Sequence, residues 1–300
     1  MRLTIRRLRN RLRPAAVVLA AALVAVALAD CSGSSSPAAS STAVAGSSPA
    51  AGSPTVGAAA PVASCAHRVV WLCEDFEGTP VGAVPAGWSA TGPVTVSATQ
   101  AREGRHSLEV GVIDRGPRII TTSLTGLGLL AGEQWGRIFF KVGVPVPYSA
   151  THILHSTMVA ESAVSPLRGD PIEVRPVGIE GSHDGRPDFQ FLYNVQPGSK
   201  RREFATLSPF NWSYDSAWHC AEWHLSSQQQ SYDFFIDGRE VTSIRLDNGP
   251  GTFAGTEIPP TYRSISIGWT NYRTAAVNGF RGFQAWIDDV AVNSARIGCG

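Results

Sequence analysis

Two cysteines, Cys220 and Cys299, stand at the ends of a run made of short alternating segments with little helical pattern between them. The run reads Trp218-His219-Cys220-Ala221-Glu222-Trp223-His224-Leu225, then Tyr232-Asp233-Phe234-Phe235-Ile236-Asp237-Gly238, then Ser264-Ile265-Ser266-Ile267-Gly268-Trp269-Thr270-Asn271-Tyr272. It continues with Trp286-Ile287-Asp288-Asp289-Val290-Ala291-Val292 and closes at Arg296-Ile297-Gly298-Cys299. A period of two sends successive side chains to opposite faces of a strand, so each segment has one apolar face to hide. A chain of such segments has to stack sheet on sheet.

The pattern holds through the rest of the folded part. Strand-like segments lie at Val69 to Phe76, Val94 to Ala98, Ser107 to Ile113, Arg118 to Ser123, Gly136 to Val144, Ile153 to Val159 and Ile172 to Val177. They continue at Phe189 to Val195, Glu203 to Leu207, Ala221 to Ser226, Tyr232 to Ile236, Ser264 to Asn271 and Ala285 to Val292, with Gly, Pro, Asn and Asp clusters between them and no internal repeat. The expected fold is all-β, a β-jelly-roll sandwich, with any helix confined to a short turn in a loop such as Leu124 to Gln134. On the segment from Ile265 to Tyr272, one face carries Ile265, Ile267 and Trp269 and the other carries Ser266, Gly268, Thr270 and Tyr272. The same rule sends Ile172 and Val174 to the core and Glu173 with Arg175 outward, so these two strands are expected to wall one cleft.

The N-terminus reads as an export signal. Arg2, Arg6, Arg7, Arg9, Arg11 and Arg13 precede an uninterrupted apolar run from Ala15 to Ala29, which is too short to favour a membrane-spanning helix. Two processing sites overlap. Cleavage after Ala27-Leu28-Ala29 releases a soluble chain beginning at Asp30, whereas Leu28-Ala29-Asp30-Cys31 resembles a bacterial lipoprotein box with Cys31 acylated, although Asp30 stands where a small uncharged residue is usual. The organisation expected is a signal peptide at 1–30, a Ser/Ala/Gly/Pro tether at 31–64 with no charge between Ser32 and Ser64, and a jelly-roll domain at 65–300. The chain is expected to be exported, either secreted or held at the cell surface as a lipoprotein, and to touch a membrane only through its signal or lipid anchor.

Charge and cysteine usage fit that reading. Removing residues 1–30 takes six arginines and Asp30 from totals of 25 basic and 24 acidic residues, leaving a net charge of −4, so nucleic acid is not an expected partner. Cys65, Cys73, Cys220 and Cys299 form an even set without metal-type Cys-x-x-Cys spacing, so two disulfides are expected, with Cys31 left over for lipidation. Ser-His-Asp, zinc and nucleotide-loop spacings are not present in the sequence. A monomer is expected.

The order of segments from Trp218 to Cys299 resembles the core domain of the fungal cellulose-induced Cip proteins, secreted calcium-binding jelly rolls related in shape to glucuronan and alginate lyases. The resemblance extends from roughly Val69 to Gly300 and is densest after Trp218. It implies a concanavalin A-like, polysaccharide-lyase-like jelly roll that binds polysaccharide. Cleavage of uronate polymers by β-elimination stays open, and the alternatives are a non-catalytic carbohydrate-binding module or a structural cell-surface lipoprotein. The family pairs the cysteines matching Cys220 and Cys299, which leaves Cys65 with Cys73; the loop of nearly 80 residues closed by the first pair is worth up to about 4 kcal/mol in the chain-entropy account.

The resemblance also implies a structural calcium held at Glu77 and Asp288, with further ligands from the turn Glu103-Gly104-Arg105-His106. Here Glu103 and His106 replace small polar residues, so backbone carbonyls are the alternative ligands. For catalysis it matches Arg175 to a cleft arginine, Tyr272 to a cleft tyrosine and His152 to a histidine on a neighbouring strand. An arginine holds a uronate carboxylate, and a tyrosine or histidine moves the proton. The family's glutamine and second histidine have no clear counterpart: Glu180 and His183 lie near, and Glu173 stands at the histidine position. Read from the residues alone, Arg175 equally pairs with Glu173 or another acid, Tyr272 is a rim aromatic, and His152 shares a core face with Leu154 and Met158. His155, on the alternate face, is an equal geometric candidate, and Trp88, Tyr193, Trp212 and Tyr214 are candidates for stacking on sugar rings.

Overall fold

The alternating segments become fifteen strands among the described residues, all paired antiparallel: β1 (Leu72–Glu74), β2 (Trp88–Thr91), β3 (Val94–Ser97), β4 (Ser107–Val110), β5 (Gly116–Ser123), β6 (Glu133–Val142), β7 (His155–Val164), β8 (Pro171–Glu180), β9 (Asp188–Pro197), β10 (Phe204–Ser213), β11 (Trp218–Ser226), β12 (Ser231–Ile236), β13 (Arg239–Arg245), β14 (Tyr262–Tyr272) and β15 (Ala285–Asn293). The computed structural model describes Cys65 and residues 70–113, 116–127, 132–144, 155–165, 169–180, 188–197, 204–245, 258–272 and 282–300; for 155, 179–180, 188–197, 204–213, 242, 244–245 and 272 it describes the backbone alone. The expected signal peptide, tether and Cys31, together with His152 and His183, lie outside the described residues. All the described residues belong to one unit, Ala58–Gly300.

Two sheets result. The first has eight strands in the order β13-β12-β11-β6-β15-β4-β3, with β1 also on β15. The second has seven, in the order β10-β9-β8-β7-β14-β5-β2. Inward-facing Ile265, Ile267 and Trp269 of β14 meet Ile138 and Phe140 of β6, Trp223 of β11 and Ile287 of β15 in one core cluster. The fold is the expected all-β jelly-roll sandwich, and no described residue is helical.

β2 and β13 have no counterpart among the expected segments, and both are sheet edges. An edge strand hides little, and its residues need not alternate: β2 is mostly exposed, and β13 reads Arg-Glu-Val-Thr-Ser-Ile-Arg, with charged residues that discourage further pairing. Both disulfides form, Cys65–Cys73 and Cys220–Cys299, with Cα separations of 5.6 and 5.8 Å.

A buried polar cluster crosses the core. Trp223 lies flat over its cross-strand partner Gly136, where a Cβ would come within 2.0 Å of the indole, so no larger residue fits there. Beside it, Gln134 of β6 donates from Nε2 to both carboxyl oxygens of Glu161 on β7, at 2.7 and 2.9 Å, joining the two sheets. Burial pushes Glu161 up to about 8, and hydrogen bonds from the Gln134 and Trp223 side chains only partly offset it.

The unfolded chain ionises this group near 4.5, so the native state holds an extra proton between that pH and about 8. Stability from this group is therefore complete below pH 4.5 and is lost as the pH rises towards 8, at up to about 1.4 kcal/mol per pH unit. Glu161→Gln, which keeps the shape and stays neutral, is expected to flatten the dependence and to exceed the wild type in stability at pH 8. Urea denaturation at pH 5, 6.5 and 8 checks this; equal slopes in the two proteins would show that Glu161 does not carry the effect.

Candidate functional site

The two sheets differ in what covers their outer faces. On the first sheet, Cys220 and Glu222 of β11, Arg137 and Phe139 of β6 and Asp288 of β15 are buried although they point away from the core. The C-terminal tail covers part of them: Arg296 donates to Glu222 at 2.8 Å, the Gly298 amide donates to the same carboxylate at 2.7 Å, and Arg137 donates to the Gly298 carbonyl at 3.0 Å. The segment around residues 99–106 covers the rest, with Trp286 donating to Thr99 and the Arg102 guanidinium 3.5 Å from the Phe139 ring centre.

The outer face of the second sheet is half-buried on β5, β14 and β7 and exposed on β2, and it is lined with hydroxyls. Thr121 and Ser266 share a hydrogen bond of 2.8 Å, Ser162 and Ser264 one of 2.6 Å, and Ser123 bonds Thr125; Ser89 donates to the Thr121 carbonyl. These follow from cross-strand register, since Ser266 faces Thr121 and Ser264 faces both Ser123 and Ser162. A hydroxyl has one proton and two lone pairs, so each of these groups keeps capacity to bond a further hydroxyl.

Beyond β7, this face continues onto β8. Ile172 and Val174 point into the core as expected, while Arg175 is more buried than an outward residue should be and donates from Nε to Glu173 at 2.5 Å. Arg175 falls in a bulge opposite Ala160, whose partner on β14 is Ser266. Tyr272 ends β14 six residues further on, so its backbone lies about 20 Å from that row along the strand. The residues paired across from Tyr272 are different: its backbone partner is His155 of β7, whose own partner is Glu180 of β8. The register thus sets Tyr272, His155 and Glu180 side by side, with Arg175 several rows away. Of these four side chains, only that of Arg175 is described.

The chain ends meet, because β1 pairs with β15, Leu72 opposite Val292 and Glu74 opposite Val290. Glu77 follows β1, and its Oε1 accepts the amides of Arg105 and His106, both at 2.7 Å. At the other end of the same turn, Asp288 accepts the Arg102 amide at 2.8 Å. A bulge between Asp288 and Ala291, with Asp289 at φ +49°, lets the next carboxylate reach the turn as well, where Arg102 donates to it at 2.7 Å. Glu103 bonds the same guanidinium at 2.7 Å, and His106 offers Glu77 its amide while its buried Nδ1 has no partner. Burial first, and then the charge of Asp289, pushes Asp288 up to about 8.

Glu77, Glu103, Asp288 and Asp289 stand around a turn that carries Arg102 and Arg105, so acidic oxygens outnumber the cations, and oxygen is the ligand calcium takes. Among the described residues, no three His, Cys, Asp or Glu side chains converge as a metal site, so Glu77, Asp288 and backbone carbonyls are the groups that would hold a cation here. The Asp289–Arg102 pair was not anticipated; the doubled aspartate on an otherwise apolar strand is its signal in the sequence.

Other candidates have structural partners. Trp88 and Tyr214, expected as stacking surfaces, pack against the core, and Tyr214 lies 6.4 Å from Trp269 ring to ring. The side chains of Tyr193 and Trp212 lie outside the described residues. His219 sits between Asp237 and Asp215; burial alone would lower its pKa, but the two carboxylates raise it. His224 is held by Asp233 and Glu133 and stacks on Trp135 at 4.3 Å. Both imidazoles thus have each ring nitrogen engaged by a carboxylate of the chain itself.

No family model and no curated protein matches the chain. Solved structures do. The cellulose-induced protein Cip1 is 16% identical over 76% of this chain and all of its own, with a TM-score of 0.52. The alginate lyase Aly36B is 11% identical over 75% of this chain and 97% of its own, with a TM-score of 0.51. A chain from the endo-acting O-glycanases that members of the human gut microbiota express to initiate mucin breakdown is 10% identical over 75% and 99%, also at 0.51. At such identities the likeness establishes the fold, a jelly roll of the kind these proteins share.

Proposed function

We propose that this protein is an exported carbohydrate-active jelly roll that binds a polysaccharide along the outer face of its second sheet. The observation that carries the reading is the hydroxyl-lined surface over β2, β5, β14 and β7, edged by the Glu173–Arg175 pair. On the first sheet the chain's own turn and tail occupy the outer face over Arg137, Phe139, Cys220, Glu222 and Asp288. The shared fold supports the class, as Aly36B acts on alginate and has been solved with an alginate trisaccharide bound. Two disulfides accord with an oxidising compartment. Whether the chain is secreted or lipid-anchored at Cys31 decides where that surface is displayed.

β-Elimination on a uronate polymer is the second reading, and one observation favours it: Tyr272 and His155 are cross-strand partners at the end of β14. In that reading one of them takes the C5 proton and the other gives a proton to the departing C4 oxygen, so that the C4–O bond breaks as the C4–C5 double bond forms. Arg175, some 20 Å away along the strand, contacts a different sugar of the same polymer. Retention of the purified Cys65–Gly300 domain on cellulose, alginate and glucuronan, with absorbance followed for unsaturated product, separates the readings. Retention without absorbance is expected, and Ser266→Arg, which places a bulky charge on the face, is expected to weaken it at least tenfold, about 1.4 kcal/mol. Product that disappears in Tyr272→Phe and His155→Ala would establish the lyase; neither retention nor product on any polymer would end the proposal.

A structural calcium between Glu77 and Asp288 belongs to the same reading, supported by the negative excess around the Arg102–His106 turn. Saturating calcium is expected to stabilise the domain by about 3 kcal/mol and a chelator to reverse it, because only the native state assembles the ligands. Asp288→Ala should abolish the response. Glu77→Ala should also cost about 2 kcal/mol in chelator, since two amides lose their charged acceptor. Melting curves with and without calcium measure both, and an unaltered calcium response in Asp288→Ala would move the ion elsewhere.

A further inference from the structure

Arg118 is a fully buried arginine on the inner face of β5, at the end of the sandwich where the chain leaves β4 and enters β15. Its Nη1 donates to two backbone carbonyls, Gly111 and Phe283, each at 2.7 Å. Its Nε and Nη2 are buried without a hydrogen-bond partner. The other buried arginine of this kind, Arg137, has Glu222 directly across the strand pair; the cross-strand residue of Arg118 is Trp269. Among the described residues no carboxylate pairs with Arg118, and its guanidinium lies 5.2 Å from the Phe283 ring centre.

The vacant atoms are not scattered. Nε and Nη2 form one edge of the planar guanidinium, the fork that holds the two oxygens of a carboxylate side by side. The facing strand carries two other buried donors without partners: Nε1 of Trp269, the cross-strand residue of Arg118, and Nδ2 of Asn271, two residues further along β14. The Asn271 amide is oriented by Ser156, which donates to Oδ1 at 3.0 Å, so that Nδ2 is left free. Trp269 is fixed in turn by edge-on packing against Phe283, ring centres 4.9 Å apart.

Water would satisfy the hydrogen bonds of such a set but not its charge. A buried guanidinium without a counter-ion is costly by several kcal/mol, and a set composed of donors selects an anion. Burial depresses the Arg118 pKa to about 10, which leaves it charged at any physiological pH.

We propose that the Nε–Nη2 edge of Arg118, flanked by Trp269 and Asn271, binds a carboxylate from solution at this end of the sandwich. The carboxylate belongs to a small organic acid or to a sugar acid. The site lies on the inner face of the second sheet, so it stands or falls independently of the saccharide surface on the outer face.

The test uses the full domain with sodium acetate, sodium glucuronate and sodium chloride at matched ionic strength, read by melting temperature and tryptophan fluorescence. Acetate is expected to raise the melting temperature saturably, by about 5 °C at a hundredfold excess over its dissociation constant, with a parallel fluorescence change absent from Trp269→Phe. Arg118→Lys, which keeps the charge and loses the fork, should lose at least tenfold in acetate affinity, whereas Arg175→Lys should not. A saturable response to glucuronate as well assigns a sugar acid; acetate alone assigns a small acid, and both support the site. Equal, unsaturating effects of all three salts in the wild type, or an acetate response retained in Arg118→Lys, would overturn it.

Discussion

The seam that closes the chain on itself is the pairing of β15 with β6 on one side and with β4 and β1 in succession on the other. Eight of its nine residues are buried, and every apolar one adds area removed from water, at roughly 25 cal/mol per Å². A strand enclosed on both edges and both faces cannot tolerate a free carboxylate, yet this one carries two. The bulge at Asp288–Ala291 resolves the conflict by turning both acids toward the Arg102–His106 turn, whose amides and guanidinium answer them. The position of that turn, and with it Glu77, follows from how β15 is packed.

Buried charge is handled differently at each place it occurs. Glu222 is answered completely, by Arg296 and the Gly298 amide, under a tail pinned by Cys220–Cys299. Glu161 is answered by Gln134, which has no charge to give, so neutralisation by a proton is the cheaper state. Arg118 has neither option, because an arginine does not give up its proton at ordinary pH and its neighbours are carbonyls and aromatic rings. The three cases share one rule, that a charge removed from water needs a counter-charge or must vanish, and they differ in which partner the strand register supplies.

Much of the architecture was legible because alternation is a local property. Ile265, Ile267 and Trp269 on β14, and Ile172 with Val174 on β8, point inward as their spacing demands. The edges β2 and β13 were missed since edge strands are not obliged to alternate. Rows across the sheet were not legible at all. Arg175 and Tyr272 read as walls of one cleft when each strand is taken alone, but bulges at Thr157–Val159, Val159–Glu161 and Ile267–Thr270 shift the register and bring His155 to Tyr272. Arg118 was hidden for a related reason: at the head of Arg-Ile-Ile it reads as a polar strand entry, and only the sandwich shows that it faces inward with Ile120.

Where the chain can meet a ligand follows from where it spends its own segments. The turn near residue 102 and the C-terminal tail cover the outer face of the first sheet and bring their own charges to it, so a polymer would have to displace Arg296 and Arg102 from satisfied carboxylates. The hydroxyl face of the second sheet makes no such demand. Its side chains bond one another weakly and reversibly, and an incoming sugar hydroxyl exchanges one such bond for another at little cost. Affinity on a surface of this kind has to come from many small contacts along an extended ligand, which is why a flat run of serine and threonine suits a polymer better than a small molecule.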